Sequence, residues 1–182
     1  MNYIATDITG VYVLEPQVWG DSRGYFMETY RKSDFDAHVG RVDFIQDNES
    51  KSHRGVLRGL HYQRGKWSQA KLVRVIAGCV MDVAVDLRRS SPTFLKYVMV
   101  ELSGENHRQL FIPRGFAHGF LVISEQAVFA YKVDNTYMPT AEASIRFDAP
   151  ELCIEWPLKR DQMDLSAKDL GALPLAEAPL FD

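Results

Sequence analysis

Cysteine is scarce in this 182-residue sequence, with two in all. Cys79 and Cys153 show no paired spacing and each sits in an apolar run. That excludes a disulfide framework or a cysteine zinc site and predicts buried thiols in a reducing compartment. A surplus of one charge is missing too: 21 Lys plus Arg against 24 Asp plus Glu leave a formal net charge of −3. A nucleic-acid binder usually carries a basic excess or stripe, so no nucleic-acid partner is expected. No apolar run approaches the roughly 20 residues that cross a bilayer, and Met1–Asp7 lacks the basic and apolar regions of a secretory leader. A cytoplasmic protein with no membrane partner is therefore expected. Gly-x-Gly-x-x-Gly and Gly-Lys-Ser/Thr are both missing, which removes most nucleotide-cofactor chemistries. Twelve glycines and 8 prolines are too few for a collagen-like chain or a linker.

What is present is a core. Hydrophobic residues make up 46% and aromatics 12% of the chain, enough to exclude disorder. The length predicts one domain over residues 1–182. Short apolar runs recur between turn signals, and Val80–Arg88 is the clearest. Met81, Val83, Val85 and Leu87 fall on one side, and Asp82, Asp86 and Arg88 on the other. Period two predicts a strand with a core face and a polar face. Further strands are predicted over 10–16, 55–63, 72–77, 96–102, 109–112, 119–123 and 127–133. Only 31–39, with Ser33 as a cap, and the tail near Ser166–Leu170 look helical. Many short strands at this spacing indicate an all-β sandwich or barrel.

The polar residues cluster unevenly. Residues 53–74 hold His53, Arg54, Arg58, His61, Arg64, Lys66, Lys71 and Arg74. Such a stretch in a mildly acidic chain suits a small anionic ligand. It equally suits a solvated edge strand kept from aggregating by its charges. His61 alone would read as a hydrogen-bonded core residue. Its company, Lys71 and the Pro-x-Gly-x-x-His turn ending at His118, makes it a candidate general base near neutral pH. A lysine could stabilise an oxyanion. Tyr131 in isolation reads as a core aromatic. His53, His61, His107 and His118 are scattered, with neither His-x-His nor His-Glu-x-x-His, so no metal site is predicted.

Taken together, the ordered segments Gly20-Asp-Ser-Arg-Gly-Tyr-Phe-Met-Glu28, Gln46-Asp-Asn48, Arg54–Gln63, Lys71-Leu-Val-Arg74, Asp82–Arg88 and Ile112–Phe120 resemble one family over nearly the whole chain. It is that of the deoxysugar-nucleotide epimerases typified by dTDP-4-dehydrorhamnose 3,5-epimerase. The resemblance implies a cupin-type jelly-roll β-barrel with a few short peripheral helices, working without a cofactor or metal, as a homodimer that exchanges strands. It implies a dTDP-sugar substrate with a C4 ketone, inverted at C3 and C5 through enolates. His61 would be the base, Asp169 its orienting carboxylate, Lys71 the stabiliser of the enolate oxygen and Tyr131 the proton donor on the other face. Arg23, Phe26, Glu28, Gln46, Asn48, Arg58, His118, Tyr137, Glu142 and Lys168 would bind the sugar nucleotide, partly across subunits. Alternatives are a relative inverting only C3 or only C5, and a cupin that merely binds. A metal-dependent cupin oxygenase would need the missing His-x-His.

Two details are left for the fold to answer. In an unbroken strand Arg58 and His61 differ in parity and face opposite sides, unless Gly59 forms a bulge. Leu95 and Ser144 replace glycines usual in the family, and Ala167 stands where an acid is common.

Overall fold

The computed structural model describes residues 1–182. In chain order the elements are β1 (Asn2–Ala5), β2 (Tyr12–Glu15), β3 (Val18–Asp21), β4 (Gly24–Met27), α1 (Lys32–His38), β5 (Gln46–His53), β6 (Val56–Gln63) and β7 (Lys71–Ala77). There follow β8 (Cys79–Asp86), β9 (Tyr97–Ser103), β10 (Gln109–Ile112), β11 (Phe116–Val122), β12 (Gln126–Val133), β13 (Glu142–Ser144), β14 (Asp164–Leu165) and α2 (Ala167–Leu170). One sheet runs β1-β2-β10-β7-β12-β5 and a second β13-β6-β11-β8-β9. Strand β14 joins β6 in parallel, and β3 with β4 forms a separate hairpin. Two antiparallel sheets wrapped around one core are the jelly roll that was expected.

That core draws on both sheets. Val73, Leu110 and Phe129 from one sheet meet Val80, Leu102 and Phe120 from the other. Outside the second sheet, Leu60, Val83, Val85 and Ala117 are covered by Ile145, Ala149, Leu152 and Leu175 of the C-terminal segment. Outside the first, α1 seats Phe35 on Leu14, Leu72 and Phe111. Seven residues are too few for a helix to persist alone. Burying Phe35, worth about 2–3 kcal/mol, is what holds α1 on the sheet.

The structure corrects several expectations. Strand β8 has no solvated face: Val83 and Val85 are buried, and so are Asp82 and Asp86. The acids are tolerated inside because each is paired. Asp86 accepts hydrogen bonds from Arg88 (2.8 Å), Ser91 and Thr93 (2.7 Å). The cysteines are not buried as expected, since Cys79 is half-buried and Cys153 exposed. Ser33 does not cap α1; Arg31 holds the N-cap position and no side chain caps it. Strands β1, β3, β4, β5, β13 and β14 were not anticipated, and β5 is the instructive case. Its sequence Gln-Asp-Asn-Glu-Ser-Lys-Ser-His has almost no strand propensity, and its ladder to β12 imposes the conformation. Leu95 adopts φ +61°, the left-handed region that favours glycine, at a site where glycine was expected.

Candidate active site

The parity question is settled by the pairing of β6 with β11. His61 lies opposite His118 and Arg58 opposite Phe120, so two residues of β6, Gly59 and Leu60, face the single Gly119. That is a bulge at Gly59, the arrangement parity left open, and it turns Arg58 and His61 to the same, inner side. Only glycines fit there. A Cβ on Gly59 would stand 2.5 Å from Gly119 Cα, and one on Gly119 would stand 2.7 Å from the Arg58 carbonyl oxygen.

Into the space beside this bulge β7 sends Lys71, β12 sends Phe129 and Tyr131, and β11 sends His118 and Phe120. Arg58 and His61 come from β6, Glu142 from β13, and Ser166, Lys168 and Asp169 from the C-terminal strap. They enclose a cavity of about 360 Å³ that Glu49, Ser50 and Tyr137 complete. Strand β14, lying along β6, brings the strap there. Ser166 then caps α2, accepting from the Asp169 N–H (3.2 Å).

Two imidazole–carboxylate pairs face this cavity. His61 Nε2 donates to Asp169 Oδ1 at 2.6 Å. Asp169 also accepts from Ser166 Oγ at 2.6 Å and from the Gly59 N–H at 3.3 Å. Burial favours the protonated acid. The donors, led by His61 and Ser166, outweigh it and hold the Asp169 carboxyl down at about 2. His118 Nε2 meets both oxygens of Asp82, at 2.9 and 3.1 Å.

The remaining groups set the electrostatics. Burial pushes the Lys71 ammonium down to about 8, with Asp82 and Glu142 opposing the fall. Burial likewise pushes the Tyr131 phenol up, against a smaller pull from Arg58 and Lys168, so it stays protonated at neutral pH. Glu142 accepts from Lys168 and, at 3.0 Å, from the Tyr137 hydroxyl. Arg58 donates to Ser52 Oγ at 3.1 Å. Lys71 and Arg58 take part in no ion pair, whereas Lys168 is tied to Glu142. Two cations are thus available to an anionic ligand.

Nine of the fourteen residues singled out in the sequence therefore line one cavity: His61, Lys71, Tyr131, Asp169, Arg58, His118, Tyr137, Glu142 and Lys168. Five do not. Arg23 and Phe26 sit on the β3–β4 hairpin, where Arg23 pairs with Asp21 at 2.6 Å and Phe26 is 69% exposed. Glu28 pairs with Arg31 at 2.8 Å. Gln46 donates to Asn48 at 2.7 Å, and Asn48 borders a separate cavity of about 310 Å³ beside Arg74 and Lys132. The basic stretch is no edge strand, because β6 and β7 each have a neighbour on both sides. Sequence reasoning missed Asp82, Ser166 and Phe129. The signal for Asp82 was present as an acid on the polar face of β8, while Ser166 was readable as an N-cap three residues before Asp169. No group of three or more His, Cys, Asp or Glu side chains converges as a metal site would require.

The profile of the family described as dTDP-4-dehydrorhamnose 3,5-epimerase matches residues 5–177. The enzyme of that name from Shigella flexneri is 51% identical over 182 residues, spanning 100% of this chain and 99% of its own. Among solved structures, the dTDP-4-dehydrorhamnose 3,5-epimerase of Elizabethkingia anophelis superposes with a TM-score of 0.93 at 49% identity, covering 97% of each chain. The dTDP-6-deoxy-D-glucose-3,5-epimerase of Legionella pneumophila, in complex with dTDP-4-keto-L-rhamnose, gives 0.90 at 50% identity over 94% of this chain and 90% of its own. Agreement in sequence and in fold over almost the whole chain leaves one assignment: it belongs to the dTDP-4-dehydrorhamnose 3,5-epimerase family.

Proposed function

We propose that this cavity inverts C3 and C5 of dTDP-4-dehydro-6-deoxy-D-glucose, giving dTDP-4-dehydro-L-rhamnose. The observation that carries the proposal is the 2.6 Å hydrogen bond from His61 to Asp169 in a cavity shared with Lys71 and Tyr131. With its Nε2–H held by the carboxylate, His61 keeps the Nδ1 lone pair for a proton. Protons on C3 and C5 both flank the C4 carbonyl, so either can leave to give an enolate. The C–H bond breaks, its electron pair enters the C3–C4 or C4–C5 bond, and the carbonyl oxygen becomes the enolate oxygen. Asp169 stabilises the imidazolium that forms, and Lys71 faces the negative oxygen as its ammonium. Tyr131 then delivers its phenolic proton to the opposite face of the same carbon, completing inversion. Every electron returns to the sugar, so the chemistry calls for no redox cofactor.

The same proposal treats residues 1–182 as one domain acting in the cytoplasm. No helix is long and apolar enough to cross a membrane, and both cysteines are free thiols. Arg23, Phe26, Glu28, Gln46 and Asn48 bind the sugar nucleotide from a second copy that exchanges strands with the first. Three exposed aromatics on the β3–β4 hairpin, Trp19, Tyr25 and Phe26, support a partner there. Mixing inactive Arg23→Ala and His61→Ala proteins then restores activity through hybrid dimers, and a mixture that stays inactive sinks the shared site.

Incubation with the 4-keto sugar nucleotide in D₂O is the direct test. Two deuterons, at C3 and C5, with the L-sugar as product, are expected. Exchange at one carbon makes the chain a mono-epimerase, and no exchange makes it a binding protein. Tyr131→Phe keeps wash-in yet loses inverted product.

A further inference from the structure

Asp82 takes no part in the chemistry proposed for His61, Lys71 and Tyr131, yet it is an acid with no exposure inside the barrel wall. Its one side-chain partner is His118, whose Nε2 sits 2.9 and 3.1 Å from the two carboxylate oxygens. A carboxylate can only accept, so the ring hydrogen belongs on Nε2 and the lone pair on Nδ1. No protein group hydrogen-bonds that Nδ1. The protein also contains no buried side-chain nitrogen or oxygen without a partner. His118 Nδ1 is therefore not sealed in, and the opening it has is the cavity that His118 lines.

The ring has little freedom to do anything else. Its backbone is paired on both sides, to His61 of β6 and Ala84 of β8. Phe129 stacks beside it with centroids 6.1 Å apart. Burial keeps the imidazole neutral, aided by the nearby Lys71 and His61 and opposed by Asp82. A neutral ring with its only N–H already engaged cannot donate to a substrate.

We infer that Asp82 is a positioning residue that fixes His118 as the Nε2–H tautomer, so that Nδ1 accepts a hydrogen bond from a hydroxyl of the bound sugar. The inference rests on the sugar-nucleotide epimerase reading for the identity of the ligand. His118 is then a reader of hydroxyl groups, and Asp82 decides which hydrogen-bonding partner it reads. A site built to pair with a hydroxyl rejects an analogue lacking it, because the buried acceptor is left alone.

Imidazole ¹⁵N spectra of the substrate-free wild-type enzyme test this without any substitution, His118 being assigned by its loss in His118→Gln. A protonated Nε2 and a bare Nδ1 between pH 6 and 8 are expected. A protonated Nδ1, or a doubly protonated ring, overturns the inference. In Asp82→Ala the ring is expected to populate both tautomers, with KM raised about 10- to 100-fold and kcat nearly kept. A variant that keeps the wild-type tautomer and KM, or that loses kcat alone, counts against Asp82. With 2-deoxy and 3-deoxy analogues, one of the two is expected to lose kcat/KM in wild type but not in Asp82→Ala. Equal losses in both proteins for both analogues reject the hydroxyl contact. Failure of the epimerase reading shows separately, as wild-type enzyme that exchanges no deuterium while the tautomer result stands.

Discussion

The cavity holds two imidazole–carboxylate pairs, and they are built differently. In one, His118 and Asp82 both belong to central strands of one sheet, and their side chains are 8% and 0% exposed. In the other, His61 is 25% exposed, and its partner Asp169 arrives on a strap more than 100 residues further along the chain. The wall-borne pair shares one forked contact. The strap-borne acid gathers two further donors, Ser166 and the Gly59 N–H. A ring proposed to take up a proton needs a carboxylate that stays ionised, and the donors around the buried Asp169 keep it so. A ring that only has to hold one orientation needs a rigid anchor, and Asp82 is that. In the proposed mechanism the same two functional groups serve proton transfer and recognition, divided by how many donors surround the acid and how far the ring is buried.

The sharpest way to break this contrast is to remove each ring. His61→Ala is expected to lower kcat by about 10³- to 10⁴-fold while dTDP binding changes only a few-fold. His118→Ala is expected to act mainly on KM. Deuterium wash-in and dTDP titration read the two effects separately, and similar profiles would erase the distinction. Asp169→Asn comes next, with a kcat loss of about 10²- to 10³-fold. It also carries a stability signature. Because the folded carboxyl titrates at about 2, below its ordinary 3.8, its contribution is present above pH 4 and is lost as pH falls from about 4 to 2. That contribution is about 2 kcal/mol. The stability gap between wild type and Asp169→Asn should therefore narrow over that window in denaturant titrations.

Lys71 lines the same cavity and sharpens the comparison from the alkaline side. With its ammonium at about 8, kcat/KM should decline as pH rises through 8 and the cation facing the enolate is lost. Lys71→Met should cost about 10²-fold at pH 7. In Lys71→Arg the alkaline limb should vanish whatever the absolute rate, since guanidinium keeps its charge.

How much of this was legible in the sequence follows physical lines. Period two gave β8, and short apolar runs between turn signals gave β7 and β12, although the polar side of β8 turned out to be the inside of the barrel. Strand β5 was invisible because its conformation is imposed by β12 and not by its own residues. His61 and Lys71 drew notice as chemistry-bearing types ten positions apart, and His118 as the end of a Pro-x-Gly-x-x-His turn. Asp169 was identified only through family resemblance, since nothing local links it to His61. The bulge at Gly59 could be posed as a question from parity but answered only by the facing Gly119. Arg23, Phe26 and Glu28 lie outside this cavity in the single chain.

The smallest expected effect tests the strap itself. Ser166 does two things at once: it caps α2 by accepting the Asp169 N–H, and it donates its hydroxyl to Asp169 Oδ2. Ser166→Ala removes both, at a cost of about 1 kcal/mol in stability for the cap. Asp169 keeps His61 and the Gly59 N–H, so kcat should fall only a few-fold. The carboxyl, deprived of a donor, should titrate above its present value of about 2. Ser166→Thr, which retains a hydroxyl, should recover most of both losses. If Ser166→Ala instead lost as much activity as Asp169→Asn, the donors around Asp169 would act as one unit and not as graded supports. The strap-borne pair would then be as rigid as the wall-borne one.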